Sequence, residues 1–572
     1  MTFKISGGND SAQFNLNEKY DGDILYVTVN MALPEKQIPA PFKLEWYISA
    51  KDVYSTWSPS LGRVAGLYFD WGKMENQSRL ASWMPLQQLV SPTGRNKLSI
   101  AVSDVDTPIS VKTGICEEDA TFACEIEFFT VPTAPADSYS AVVRLDMRDV
   151  PYYESIYGVS EWWEQECGYE PAYVPEHARL PMDSLWYSFH QKLDRAEILN
   201  ECAASKKLGM ETVIIDDGWQ TDDNNRGYAY CGDWQAAPKK MGDMASLVDE
   251  IHKIGMKVML WYSVPFVGIH SEKYEQFKTM LLDDSGDNET FFALDPRYKE
   301  VREYLAGIYA DAVKNWHLDG LKLDFIDSFV LKGKSLEYDS RRDHQSLESA
   351  IHALMSEVEA ELTALDPEIL IEFRQSYVGP SIRKYGNMLR VGDCPCDMLK
   401  NRINTVKLRL TSGRTAVHSD MIMWSVDDTP ENAALQFVSI LYSVPQISMR
   451  IDKLPDSHYK MLKHYISFWL EWRDVLLDGC LTANNPESEL SSVCSVLGDR
   501  SVTTVYTDRI VPVKTATAAA VNGSAEETLI IKGAKGRPYS VINCMGENIG
   551  SGVISADLEE ISVPKAGMII VQ

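Results

Sequence analysis

The chain has 572 residues, and at ~100–200 residues per domain this length asks for two to four domains and excludes a lone binding module. With 45% hydrophobic and 24% charged residues it sits at the globular average, which excludes a disordered or fibrous chain. Fifty-five basic against 82 acidic residues give a net charge of −27, which repels phosphate backbones and anionic lipid heads, so neither nucleic acid nor a membrane is expected as a partner. The opening Met1-Thr2-Phe3-Lys4-Ile5-Ser6 has no apolar core of a secretory signal, and no run of ~18 apolar residues follows. A soluble, cytoplasmic protein is expected. The 10 cysteines are scattered, unlike a disulfide framework, and reduced thiols are the default.

In chain order, residues 1–178 open with short β-rich runs: Ile24-Leu25-Tyr26-Val27-Thr28-Val29, Lys97 to Val102 and Ala141 to Leu145, separated by Pro, Gly, Asn and Asp. This predicts an N-terminal β-sandwich. After Arg148 the pattern changes, with Pro171, Pro175 and Pro181 punctuating a polar stretch. Residues 179–475 then alternate strand-like and helical runs. A helix from Leu247 to Ile254 closes at Gly255 before the strand Lys257-Val258-Met259-Leu260-Trp261, and a second helix starting near Pro296 aligns Val301, Leu305, Ile308, Ala312 and Trp316 on one stripe. Strand runs begin near Leu185, Thr212, Lys257, Gly320, Ile369, Met388, Thr415 and Gln446. Eight β→α units predict a (β/α)8 barrel, with a doubly wound sheet as the competing architecture. Residues 476–572 return to β text, as in Val502 to Tyr506, Thr528 to Ile531 and Met568 to Val571, and predict a small antiparallel C-terminal sheet domain.

In such a barrel the reactive groups stand where strands end. The fourth run, Leu321-Lys322-Leu323-Asp324, puts Lys322 and Asp324 on one face because strand side chains alternate. Alone, Asp324 reads equally well as a structural ion-pair partner or a helix cap. The second run ends on Asp216-Asp217-Gly218-Trp219, the third on Trp261-Tyr262, and the loop between them holds Gly232-Asp233-Trp234. Carboxylates accept hydrogen bonds from sugar hydroxyls and an aromatic face covers the apolar side of a pyranose, so several mouths of this kind point to carbohydrate. Arg374-Gln375 follows the fifth run, Asp393 the sixth and Asp420 the seventh. Glycoside cleavage needs two carboxyls flanking one bond, and Asp324 with Asp393 is the expected pair. Asp393 is expected to have a raised pKa from its partner's charge and the apolar Val391 and Pro395, and Lys322 to keep Asp324 ionised. The Cys394-x-Cys396 spacing lacks a second ligand pair, so neither metal nor cofactor is expected.

The segments Ile215-Asp216-Asp217-Gly218-Trp219, Gly232-Asp233-Trp234, Met256 to Trp261, Leu294-Asp295-Pro296 and Leu321-Lys322-Leu323-Asp324 occur in the order found in glycoside hydrolase family 36, the α-galactosidase (melibiase) family, and the chain resembles it from about Leu185 to Asp420. The resemblance implies a retaining exo-acting α-glycosidase with Asp324 as nucleophile and Asp393 as acid/base. Asp216, Asp217, Lys322 and Trp261 would then bind the terminal sugar, with Trp219, Asp233, Trp234, Arg374 and Gln375 lining its site. Phe373-Arg374-Gln375-Ser376 replaces the family's usual Cys-Ser-Gly-Gly, Gly392-Asp393-Cys394 its Ser-Asp-Asp, and Ser263-Val264-Pro265 its Glu-Pro-Glu. These departures lie where sugar substituents and aglycone sit. A terminal α-galactoside on a small oligosaccharide or glycoconjugate is the expected substrate, and α-N-acetylgalactosaminide the alternative. A homo-oligomer is expected from the family's habit. A Schiff-base aldolase using Lys322 and a non-catalytic carbohydrate-binding protein are the competing classes.

Overall fold

Alternating burial builds the amino-terminal part of the molecule. In the strand Ile24–Gln37, Val27, Val29 and Met31 point inward while their neighbours face out, and this period of two pins the sheet's register. The structure, a computed structural model, describes all residues other than 63–65 and 283–289. Here a five-stranded and a six-stranded sheet close on a core that includes Trp46, Phe42, Ile100, Ile126 and Val143. The expected sandwich is present.

The central strands are β1 Met182–Ser184, β2 Thr212–Ile215, β3 Lys257–Ser263, β4 Gly320–Asp324, β5 Leu370–Arg374, β6 Met388–Arg390, β7 Ala416–His418 and β8 Gln446–Ile447. All pair in parallel in chain order, β1 also pairs with β8, and a bridge from His418 to Val444 brings the last edges together. Every residue of β2, β4 and β5 is buried, as a parallel sheet covered on both faces requires. This is the expected barrel. Its first strand lies one step ahead of the expected run: Leu185 leads into a helical turn, Trp186–Phe189, and the strand is the three residues before it. The helix expected from Pro296 starts instead at Lys299 and runs to Trp316. The Asp295 carboxylate accepts from the Arg297 amide at 3.0 Å and pairs with its guanidinium at 2.9 Å, which ties Pro296 into a turn outside the helix. The helix Met244–Ile254 is capped by the Asp243 side chain on the Ser246 amide and closes at Gly255 with φ +91°.

Beyond the helix Asp456–Asp478 come a seven-stranded and a three-stranded sheet. They are antiparallel apart from two pairings, Arg500–Val505 with Thr517–Asn522 and Ile510–Pro512 with Thr528–Lys532. Arg402 of the barrel stacks over Tyr506 at 3.8 Å and joins the two parts. On the opposite side the sandwich reaches the barrel mouth: Arg79 donates to the carbonyls of Asp327 and Phe329, both at 2.8 Å, and the Trp83 amide to the Ser376 carbonyl at 2.6 Å. Among the described residues no helix is long and apolar enough to cross a membrane.

Candidate active site

Asp324 closes β4 and is 2% exposed. Its Oδ2 accepts from Trp261 Nε1 at 2.8 Å and its Oδ1 from the Phe325 amide at 2.8 Å. Phe325 adopts φ +65°, a left-handed backbone that turns this amide toward the carboxylate. Donors on both oxygens fix the direction of the carboxylate.

The ammonium beneath is engaged elsewhere. Lys322 Nζ lies 2.6 Å from Asp216 Oδ2, both side chains buried, so the expectation that Lys322 holds Asp324 charged is corrected: its direct partner is on β2. Asp217, next along, accepts from Gln191 Nε2 and Gln220 Nε2, each at 2.7 Å. Gly218 permits this approach, because at φ +112° a Cβ there would stand 2.7 Å from Gln191 Cα. Burial pushes the Asp217 carboxyl up to about 6, with the Asp216 charge adding to it.

Asp393 follows β6 and is 40% exposed at its side chain. Arg390, fully buried, donates to Asp393 Oδ1 at 2.9 Å and to Asp420 Oδ1 at 2.5 Å. Asp420 Oδ2 in turn accepts from the Cys394 amide at 2.6 Å and Tyr187 Oη at 3.0 Å. Arg374, from the end of β5, reaches both acids: its guanidinium is 3.3 Å from Asp324 Oδ2 and 3.5 Å from Asp393 Oδ2. Burial raises the Asp393 carboxyl, but Arg390, Arg374 and Lys322 outweigh it and hold it well below the usual carboxylate range. The expected upward shift is therefore reversed. Val391 and Pro395 are near in sequence, whereas two guanidiniums are nearer in space.

Three expected sugar contacts are structural. Trp219 is wholly buried, donates Nε1 to the Trp261 carbonyl at 2.8 Å and packs edge-on to Tyr262 and Trp316. Trp234 is 4% exposed and stacks on Trp219 with centroids 6.0 Å apart. Asp233 caps the helix Glu272–Phe277, accepting from Ser271 Oγ at 2.8 Å and the Glu272 amide at 3.0 Å. Trp219 and Trp234 pack with Tyr262 in an aromatic core, and the Asp233 carboxylate is taken up by Ser271 and the helix amides. Trp261 is 2% exposed and serves Asp324 through its N–H. Gln375, at φ +57°, lies beside Arg374 and lines a small cavity with Trp83 and Lys407. The residues missed by sequence reasoning are Gln191, Gln220 and Tyr228. Tyr228 stacks on Trp261 at 6.0 Å from a loop without periodicity, so no signal marked it. Cys394 is buried and Cys396 exposed, both as free thiols, and no described group of three His, Cys, Asp or Glu residues could hold a metal ion.

A carboxylate pair at β4 and β6 above a Lys–Asp pair, in a barrel of this strand order, can be compared with known proteins. The profile of the melibiase family matches residues 179–388. The match starts ahead of β1 and ends at the first residue of β6, before Asp393. The chain is 30% identical over 143 residues to α-galactosidase Mel36A of Lactobacillus acidophilus, an alignment covering 24% of this chain and 18% of that protein. It is 22% identical over 315 residues to α-galactosidase AgaA of Geobacillus stearothermophilus, covering 51% of this chain and 41% of AgaA. The aligned parts thus span less than half of either relative. A crystal structure of a variant of the same AgaA in complex with raffinose superposes with TM-score 0.65 at 15% identity, covering 100% of this chain and 86% of that one. The barrel and its two β-rich flanks share that fold.

Proposed function

We propose that the protein is a retaining, exo-acting α-glycosidase that hydrolyses terminal α-galactosides of the melibiose or raffinose type. The observation that carries this reading is that Asp324 and Asp393 face one guanidinium, that of Arg374, across the barrel mouth. The match to the melibiase profile and the raffinose bound to the AgaA variant support the substrate class.

The Asp324 carboxylate, aimed by Trp261 and the Phe325 amide, attacks the anomeric carbon. The C1–O bond breaks with its electron pair passing to the leaving oxygen, which takes a proton from Asp393. Asp393, now a carboxylate, removes a proton from water as that water attacks C1 and releases Asp324. Two inversions give net retention. Asp216 and Asp217 offer acceptors to an axial O4 with O6, an edge that glucose with its equatorial O4 does not present. A buried carboxylate deprived of its donor costs ~1–3 kcal/mol, which favours the galacto configuration.

The test is a panel of nitrophenyl α-glycosides run against the wild type and Asp324→Asn. The galactoside is expected to be cleaved fastest, with the α-anomer of galactose appearing first by NMR, and Asp324→Asn to lose turnover by several orders of magnitude. Faster cleavage of the glucoside, β product first, or an unimpaired Asp324→Asn would overturn the reading.

A further inference from the structure

Tyr228 carries a hydroxyl that no step of the mechanism uses. Its ring is boxed by four others: it stacks on Trp261 at 6.0 Å, tilts against Phe266 at 5.2 Å and stands edge-on to Phe291 and Phe325, each at 5.1 Å. Trp261 and Phe325 are also the residues that aim the nucleophile, one through its indole N–H and the other through its amide. The loop that bears the ring is pinned as well. The Cys231 amide donates to the Tyr228 carbonyl at 3.1 Å, the Gly268 amide to the Cys231 carbonyl at 2.7 Å and the His270 amide to the Ala229 carbonyl at 2.9 Å. The phenol is therefore held in one place before any substrate arrives.

For packing alone a phenylalanine would serve, because a hydroxyl set among apolar rings loses water and needs a partner to offset that loss. Among the described residues the Tyr228 hydroxyl has no hydrogen-bond partner, and it is not sealed in the core, for the residue is half-buried. Tyr187 and Tyr377, also near the two acids, are taken: Tyr187 donates to Asp420 and Tyr377 to the Leu323 carbonyl, each at 3.0 Å. Burial, and then the charges of Asp324 and Asp217, hold the Tyr228 phenol far above its ordinary pKa. It stays protonated through the neutral range, so it gives a hydrogen bond but does not supply the proton a leaving group takes. The cations of the mouth are engaged, Lys322 with Asp216, Arg390 with Asp420 and Asp393, and Arg374 with Asp324 and Asp393. A sugar hydroxyl both donates and accepts. The aspartates of β2 take the donated bond, and Tyr228 is the unengaged donor that meets the accepting side.

We propose that Tyr228 is a specificity-determining residue whose hydroxyl donates to a hydroxyl oxygen of the terminal sugar, either O2, beside the carbon that Asp324 attacks, or O6, beside Asp217. The proposal rests on the glycosidase reading and deepens it.

The experiment measures kcat/KM for nitrophenyl α-galactoside, its 2-deoxy analogue and its 6-deoxy analogue, nitrophenyl α-D-fucoside, in the wild type and in Tyr228→Phe. That variant keeps the ring among its neighbours and loses only the oxygen. Deoxy sugars differ in intrinsic reactivity, but the difference cancels in the ratio of wild type to variant for each substrate. The ratio should be ~3–10 for the galactoside, the scale of one neutral hydrogen bond, stay there for one analogue and fall to ~1 for the analogue that lacks the bonded hydroxyl. Which analogue becomes indifferent to the variant identifies the hydroxyl as O2 or O6. The same ratio for all three substrates, at unity or above it, overturns the proposal and leaves the glycosidase reading intact. If the wild type cleaves no glycoside, that reading fails, and calorimetry with galactose, 2-deoxygalactose and D-fucose decides the sugar contact alone. The contact stands if Tyr228→Phe weakens the binding of galactose and of one deoxy sugar but not of the other, and it falls if all three are weakened alike or none is.

Discussion

Trp261 fixes the direction of the Asp324 carboxylate from a neighbouring strand, with one N–H at 2.8 Å. Hydrogen bonds to a charged group are worth about 1.5–3 kcal/mol, so Trp261→Phe should lower kcat ~10–100-fold with little change in KM, a split that steady-state kinetics reads directly. Asp393 makes a different demand. With its pKa depressed by Arg390 and Arg374 against the pull of burial, its protonated fraction falls tenfold per pH unit through the neutral range. An alkyl or sugar galactoside, which needs that proton, should be cleaved best on the acid side and decline steeply toward neutrality. Nitrophenyl galactoside should decline less. Parallel pH profiles for the two leaving groups would show instead that another group supplies the proton.

At the scale of elements, the helix Glu272–Phe277 shows what Asp233 does. Asp233→Ala removes acceptors from Ser271 and the Glu272 and Lys273 amides and should cost about 1–2 kcal/mol in denaturant unfolding, with KM for the galactoside unchanged. A rise in KM would return Asp233 to the sugar site. The strands were legible because fully buried parallel strands are written as apolar runs, and their carboxyl ends located Asp216, Asp217, Asp324 and Asp393. What a strand end does not reveal is the side of the wall a neighbouring loop residue takes. Within Gly232-Asp233-Trp234 the acid turns to a helix and the indole packs with Trp219 and Tyr262. Ion-pair partners were equally hidden: alternation put Lys322 and Asp324 on one face, but Asp216 on the adjacent strand is what Lys322 reaches. The first strand was expected a few residues late because it is three residues long and carries Asp183, a polar residue that accepts from Ser205 Oγ at 2.5 Å.

Across the whole molecule, buried ionisable groups away from the site set opposing slopes of stability with pH. Burial raises the carboxyls of Asp183 and Glu201, and the Asp183 charge adds to the Glu201 shift. Both then bind protons more tightly folded than unfolded, so their contribution falls as pH rises above the ordinary carboxylate range. Lys407, whose ammonium burial lowers to about 7, acts the other way: the folded state sheds its proton first, and stability rises with pH from about 7 toward the unfolded value near ~10.4. Glu201→Gln should therefore gain melting temperature relative to wild type more at pH 9 than at pH 5, and Lys407→Met more at pH 6 than at pH 9. Equal shifts at both pH values would exclude titration of these groups as the cause. Lys407 donates to the carbonyls of Ser58 and Leu61, in the same stretch of sandwich whose Arg79 and Trp83 bond the loops after β4 and β5. The backbone directly behind the nucleophile is thus held partly by Arg79 and the Trp83 main chain, which belong to the sandwich and lie far ahead of the barrel in sequence. A minimal catalyst cut to the barrel at residues 179–475 would lose those tethers, and it is expected to bind and turn over nitrophenyl galactoside poorly even where circular dichroism shows it folded. Changes at Arg79 or Trp83 of the intact chain, remote in sequence from Asp324 and Asp393, should likewise register first as altered turnover.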